Sequence, residues 1–378
     1  MEILCLNKIS PVGLKVLPSS YKITEDMTKA DAILVRSANM LETSLPSNVI
    51  CVARAGAGVN NIPLEPYAKA GVVVFNTPGA NANAVKELTI AAMLLAARDI
   101  RGSMEWVKEN KNDEAINKSM EKAKGAFAGT EILGKTLGII GCGAIGALVA
   151  QAAGALGMHV IGVEPSEATI EKNKHLFPSD MEIVSSDELY KRADYISLHV
   201  PLMDATRGMI NKDAFNKMKD GVILINCARD AIVNDDDLKA AIEAGKVRKY
   251  VTDFPNFKTA NMDGVVAISH LGASTEEAED NCAEMAARQL LDYIENGNII
   301  NSVNYPRIDL GIKEGKRVVV LFEGDLVNEV TQIINKAGVK KLASGDKKGF
   351  GAVVAEVSGT VDEAALKAIN GVTRIRVI

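Results

Sequence analysis

Four histidines occur in the chain, and one of them stands where chemistry is expected. His270 ends the apolar run VVAIS (265–269) and is followed by LGAST. In a doubly wound α/β sheet, ligands bind outside the carboxyl ends of the strands, so this spacing sends His270 into a crevice. An imidazole titrating near neutrality can take a hydroxyl proton as a hydride departs and return it in the reverse direction. Arg229 follows another apolar run, GVILINCA (221–228). A guanidinium there can grip a carboxylate with two parallel hydrogen bonds and polarise the adjacent C2 oxygen; a surface salt bridge is the plainer alternative. Arg54 ends a third run and opens AGAGVNN, which is either an anion cradle of backbone amides or an ordinary turn. The remaining histidines read as structural: His159 packed within a strand, His175 solvated in KNKHLFP, and His199 hydrogen-bonded at the end of DYISLHV.

A nucleotide signature lies between Arg54 and Arg229. Gly141, Gly143 and Gly146 form GCGAIG directly after LGII and directly before ALVAQAAGAL. The first glycine permits a tight turn, the second lets backbone approach a pyrophosphate, and the third lets helix pack close to strand. The helix start then offers unpaired N–H groups to the phosphates. Glu164 ends the next run, HVIGV, 23 residues after Gly141. A carboxylate there binds ribose hydroxyls and repels a 2′-phosphate, so NAD is expected over NADP.

These groups need elements to carry them. Short apolar runs at 2–6, 32–36, 49–53 and 72–75 read as buried parallel strands, followed by a helix over 84–98 with Asn83 as its N-cap. The polar stretch 108–124 reads as solvated surface. Six further runs, at 135–140, 158–163, 194–200, 221–226, 249–254 and 265–269, alternate with helical stretches as a dinucleotide fold requires. Ser274 and Glu277 predict a capping box opening a helix to about 296. After a Pro- and Gly-bearing linker, residues 317–378 follow a βαββαβ pattern of ferredoxin-like type.

Bulk properties narrow the partners. The 378 residues, with 47% hydrophobic and 24% charged, suit a globular protein of two or three domains. A net charge of −5 speaks against nucleic acid or an anionic membrane as partner. Cysteines at 5, 51, 142, 227 and 282 include no CxxC pair and read as free thiols of a reducing compartment. No metal site is expected. Nor do a signal-peptide pattern and an 18-residue apolar stretch occur, so the expected compartment is the cytoplasm.

Seven segments, in order, resemble the D-2-hydroxyacid dehydrogenase family: ARAGAGVNNI (53–62), VFNTPGANANAVKELT (74–89), KTLGIIGCGAIG (135–146), HVPL (199–202), LINCARD (224–230), ISHLGAST (268–275) and NSVNYP (301–306). The likeness is greatest to members acting on D-3-phosphoglycerate. It implies hydride transfer between NAD and D-3-phosphoglycerate, the first step of serine biosynthesis, in a homodimer or homotetramer. It implies Arg229 as the substrate arginine, His270 as the acid/base, and Arg54 with Ala55 and Gly56 as the substrate loop. Thr77, Ala144, Ile145, Glu164, Val200, Pro201, Cys227, Ala228, Asp253, Gly272 and Ala273 would join the three glycines around NAD. The implied fold is α/β, with a Rossmann domain (99–285) inserted in a flavodoxin-like substrate domain (1–98 and 286–308), and an ACT-like domain at 315–378.

The sequence departs from the family in four places, the mildest being Glu164 where the ribose site usually has an aspartate. A Glu that pairs with the catalytic histidine is expected about five residues after Asp253, where Lys258 stands; either Lys258 lies beside His270 or Asn256 supports it instead. Ala144 replaces a frequent arginine, and LFEGDL (321–326) replaces the effector-binding loop of the ACT type. For a substrate phosphate, Arg54 and Lys86 are the candidate cations. Two other readings stand beside this one: a dehydrogenase of glycerate/hydroxypyruvate or lactate, and an NAD-sensing, corepressor-like binding protein.

Overall fold

The computed structural model describes residues 1–378, which fall into two compact units, Ala82–Thr275 and Met1–Asn81 with Glu276–Ile378. The strands along the chain are β1 (Glu2–Cys5), β2 (Lys22–Thr24), β3 (Ala32–Val35), β4 (Cys51–Arg54), β5 (Val73–Phe75), β6 (Thr136–Ile140), β7 (His159–Val163) and β8 (Glu182–Ile183). They continue with β9 (Tyr195–Leu198), β10 (Val222–Asn226), β11 (Val247–Thr252), β12 (Val265–Ala267), β13 (Lys316–Glu323), β14 (Val339–Lys347), β15 (Phe350–Val357) and β16 (Val372–Val377).

In the unit Ala82–Thr275, seven parallel strands lie in the order β8-β7-β6-β9-β10-β11-β12. The order reverses between β6 and β9, the switch point where a nucleotide fold opens its crevice. β9 and β10 are buried along their whole length, which is why they read as continuous apolar runs. β8 escaped the sequence reading because it is two exposed residues long. The helix Ala82–Ala97 belongs to this unit, not to a domain ending at 98. Its small residues Ala92 and Ala96 share one core with Val149, Ala150 and Ala153 of the helix Ala144–Ala155. The helix already starts at Ala82, so Asn83 is not its cap; its amide donates to Glu87 Oε1 at 2.9 Å. The stretch 108–124 contributes to helices Ile100–Glu109 and Ile116–Ala123, neither of which buries a residue.

The other unit contains a parallel sheet of order β2-β1-β3-β4-β5, the flavodoxin-like arrangement. β2, largely exposed, left no apolar run to read. The helix Glu276–Asn296 covers this sheet, burying Ala283, Ala286, Leu290 and Tyr293 with Ile3, Leu34, Ala53 and Phe75. The antiparallel sheet β14-β15-β13-β16 completes the ferredoxin-like pattern. Successive side chains of a strand point to opposite faces, and here both faces are covered. Val318, Val320, Phe322, Val353 and Ala355 meet the helices Val327–Asn335 and Glu363–Lys367, while Val319, Leu321, Phe350, Ala352 and Val354 join the core under Glu276–Asn296. No helix of the protein is long and apolar enough to cross a membrane, and all five cysteines are free thiols.

Candidate active site

The glycine turn is built as its spacing requires. Gly141 has φ +93°, and a Cβ there would lie 2.7 Å from His199 O and 2.9 Å from Val200 Cγ1. A Cβ on Gly146 would lie 2.0 Å from Gly141 O, so only glycine lets the helix start pass the strand end. Gly143 faces open space, and the helix beginning at Ala144 and Ile145 has no side-chain cap. Its first N–H groups are therefore available to a phosphate. Glu164 accepts from the Cys142 amide at 3.1 Å and the Ser166 amide at 3.0 Å, which fixes its carboxylate over this turn. Pro201, exposed beyond β9, has its carbonyl bonded by the Thr206 hydroxyl at 2.6 Å.

Asn226, at the end of β10, escaped the sequence reading and organises the next loop. It is fully buried, accepts from the Ala228 and Arg229 amides at 3.1 and 3.3 Å, and donates to Arg229 O at 2.8 Å and the Tyr250 hydroxyl at 3.0 Å. An amide side chain supplies both acceptor and donor, so one residue holds both ends of the turn. A buried asparagine ending an apolar strand is the signal that could have revealed it. Cys227 lies inside this loop, where burial pushes its thiol up to about 12, so it is no nucleophile at neutral pH. Arg229 donates from Nη1 to Ala228 O at 2.6 Å, and its Cζ stands 5.0 Å from the centroid of the Phe254 ring.

The segment after β11 holds the histidine turn. Asp253 is fully buried; its carbonyl accepts the His270 amide at 2.8 Å and its Oδ2 the Gly272 amide at 2.9 Å. Burial raises the Asp253 carboxyl above its ordinary range, against the opposing pull of the Gly272 amide, His270 and Arg229. Its Oδ1 is buried with no hydrogen-bond partner. A Cβ on Gly272 would come to 3.0 Å from Asp253 Oδ2, so glycine permits this closeness before Ala273. His270 is exposed, with a left-handed φ of +27°, and its ring packs on Phe254 at 4.3 Å between centroids, tilted 44°. Neither ring nitrogen of His270 makes a hydrogen bond. Ser274 points its hydroxyl at His270 O (3.5 Å), and the following helix opens at Glu276.

Lys258 is not beside His270. It pairs with Asp236 at 2.7 Å, and this bond raises its pKa. Asn256 starts the helix Phe257–Ala260 with a capping box shared with Thr259, and its amide donates to Asp235 at 2.8 Å. That turn carries both side chains toward the Asp235–Glu243 helix, so neither supports the histidine. His199 bonds Ser197 through Nε2 at 2.8 Å, and burial holds its imidazole down to about 4. His159 is not packed within its strand but exposed, 4.0 Å from Asp180; His175 is exposed as expected.

In the other unit, Arg54 ends β4 and Ala55 bonds Val35 O at 2.8 Å. Gly56 has φ +150°, and a Cβ there would lie 2.3 Å from Arg54 Nη1, so glycine makes room for the guanidinium over its own loop. The buried Thr77 donates its amide to Gly56 O at 3.1 Å. Lys86, on the helix of the nucleotide unit, lies 3.5 Å from Glu87.

An open Gly143, an uncapped helix start, a carboxylate beside the turn and an unpartnered buried Asp253 oxygen are together what a dinucleotide needs. Residues 90–272 match the D-isomer specific 2-hydroxyacid dehydrogenase, NAD binding domain. The D-3-phosphoglycerate dehydrogenase of Mycobacterium leprae is 32% identical over 94% of this chain and 69% of its own. A hydroxypyruvate reductase of Thermotoga maritima is 38% identical over 66% of this chain and 80% of its own. Among solved structures, NAD⁺-bound 3-phosphoglycerate dehydrogenase of Entamoeba histolytica superposes with a TM-score of 0.64 at 26% identity, covering 80% of this chain and 98% of that one. The chain belongs to the D-isomer specific 2-hydroxyacid dehydrogenase family. It is an NAD-dependent dehydrogenase.

Proposed function

We propose that the protein interconverts D-3-phosphoglycerate and 3-phosphohydroxypyruvate, as a cytoplasmic homo-oligomer supplying serine biosynthesis. The observation that carries this reading is the meeting of Arg229 and His270 on one ring, Phe254, beyond the carboxyl ends of β10, β11 and β12. Arg229 has one short hydrogen bond and keeps further donors for the substrate carboxylate and C2 oxygen. His270, with both ring nitrogens uncommitted, takes the C2 hydroxyl proton during oxidation and returns it during reduction. When bound, NAD supplies the nicotinamide carbon that accepts the hydride. The amides after Gly143 hold its pyrophosphate, Glu164 its adenosine ribose, and the free Asp253 oxygen a donor on its nicotinamide half.

On the family resemblance, Arg54, with the amides around Ala55 and Gly56, is assigned to the substrate phosphate. The deciding experiment follows NADH oxidation with 3-phosphohydroxypyruvate and with hydroxypyruvate. A kcat/KM at least about tenfold higher for the phosphorylated acid, or about 1.4 kcal/mol, is expected, and Arg54→Ala removes most of that advantage. Equal values would assign the chain to hydroxypyruvate reduction, the activity named for the Thermotoga maritima relative.

A further inference from the structure

We propose that Phe254 is the positioning residue of this site, one aromatic ring orienting both the acid/base His270 and the substrate arginine Arg229. The proposal rests on the dehydrogenase reading of these two side chains.

His270 has little else to orient it. Its imidazole is exposed, no hydrogen bond reaches either ring nitrogen, and its backbone sits at φ +27°, sparsely populated for a non-glycine residue. Its backbone is held by Ile268 O at 3.2 Å and the Ser274 hydroxyl at 3.5 Å, and further by two consecutive residues after β11. The Asp253 carbonyl bonds the His270 amide, the Asp253 carboxylate bonds the Gly272 amide, and the Phe254 ring lies against the imidazole at 4.3 Å. The first two contacts fix the turn; the third is the ring contact on the imidazole itself, beside the charge attraction of the Asp253 carboxylate. A tilted aromatic contact limits rotation of the imidazole without occupying a nitrogen, so both stay free for substrate and solvent.

The same ring serves Arg229. Aromatic faces attract guanidinium groups within about 6 Å, and Cζ lies 5.0 Å from the Phe254 centroid. Phe254 is itself well held. Its amide donates to Thr252 Oγ1 at 3.0 Å, and that hydroxyl donates to Asn226 O at 2.8 Å. The side chain of Asn226 closes the Arg229 loop while its carbonyl receives Thr252, so ring and arginine hang from one buried residue. Pro255 then restricts the backbone after the ring, before the chain turns into its capped helix. An uncharged ring also adds no anion to compete with a substrate carboxylate for Arg229.

The test compares Phe254→Leu with Phe254→Tyr in the full chain. Leu keeps an apolar side chain but loses the aromatic face; Tyr keeps the ring. Phe254→Leu is expected to lower kcat for keto-acid reduction at least about tenfold and to raise the keto-acid KM, with the NADH Kd held within about twofold. Phe254→Tyr should recover at least about fivefold of the lost kcat/KM. A merely structural role would move all parameters and the melting temperature together, and Tyr would not rescue selectively. A second readout needs no turnover: the His270 Cε1 proton, identified by its absence in His270→Gln, should lose an upfield ring-current shift in Phe254→Leu. A Leu variant within about threefold of the parent kcat/KM, no rescue by Tyr, or an unmoved His270 proton overturns the proposal. Should the parent protein reduce no 2-keto acid, the dehydrogenase reading falls, and the proton shift separately decides the contact.

Discussion

Two arginines show how the chain uses one side chain in opposite ways. Arg317, at the start of β13, is fully buried and commits both terminal nitrogens inside the protein, while its Nε has no hydrogen-bond partner. Its Nη1 donates to Asn296 O at 2.7 Å and Gly311 O at 2.8 Å; its Nη2 reaches Ile312 O at 3.3 Å and Glu356 at 3.4 Å. Burial pushes Glu356 up, but the Glu314 amide, Arg317 and Lys341 together outweigh it and hold the carboxyl below its usual range. Arg376 behaves similarly, donating to Tyr293 O at 2.9 Å and Ile294 O at 2.8 Å over the Tyr293 ring. Both therefore satisfy carbonyls in the last turn of the helix Glu276–Asn296, where positive charge is favourable. Arg229 has one short bond to a neighbouring carbonyl and a ring to lie on. A structural arginine spends its donors inside the protein. In the proposed function, Arg229 keeps them for a substrate.

The largest expected effects fall on the side of Arg229 and His270. His270→Gln should cost at least about a hundredfold in kcat, the usual worth of a positioned acid/base, while NADH binding persists. Arg229→Lys should lose more than about tenfold in kcat/KM, because a point charge cannot reproduce a planar two-bond grip. Steady-state rates with a 2-keto acid and NADH check both. A smaller loss for Arg229→Lys would place its free donors outside the substrate site.

For Arg317 the effect is on stability. Arg317→Ala takes the guanidinium from the buried Glu356, leaving it the Glu314 amide and Lys341, and uncaps Asn296 O at the end of the long helix, at a cost of about 3–5 kcal/mol. Thermal unfolding of the full chain measures this. Rates per folded molecule should change far less, since no catalytic candidate touches Arg317. The covered faces of the β13–β16 sheet fit the same role, because an element buried on both sides is part of a core.

Much of this contrast was legible in the sequence, and the remainder fails for physical reasons. The strands before Gly141 and Arg229 were visible because burial leaves unbroken apolar runs, whereas β12 before His270 kept an apolar run although none of its residues is fully buried. β2 and β8 were invisible because short, exposed strands leave no such run. The unit boundary moved from 98 to 81 because packing against Ala144–Ala155, not the helix's own sequence, decides where Ala82–Ala97 belongs. Asn226 left a sign that could be read, a polar residue ending an apolar strand, whereas the contacts of Phe254 with Arg229 and His270 join the ends of different strands and leave no local pattern. A phenylalanine after an apolar strand reads as more core.

Lys258 gives the smallest expected effect and the sharpest check on this contrast. Counting residues from Asp253 set it beside His270, where a cation would disfavour the imidazolium and a Glu would favour it. The capped turn at Asn256 removes it from that place, and its ammonium instead meets Asp236 at 2.7 Å, with the lysine side chain 56% exposed. Lys258→Glu would put a carboxylate near Asp235 and Asp236, in the first turn of the helix Asp235–Glu243, where the helix dipole favours anions but two neighbours repel one another. The cost of losing one exposed ion pair is about 0–1 kcal/mol. The profile of kcat/KM against pH, taken for reduction and for oxidation, should be unmoved. If both limbs moved upward together, a carboxylate at 258 would be reaching His270, and the ring of Phe254 would not be what stands beside the imidazole.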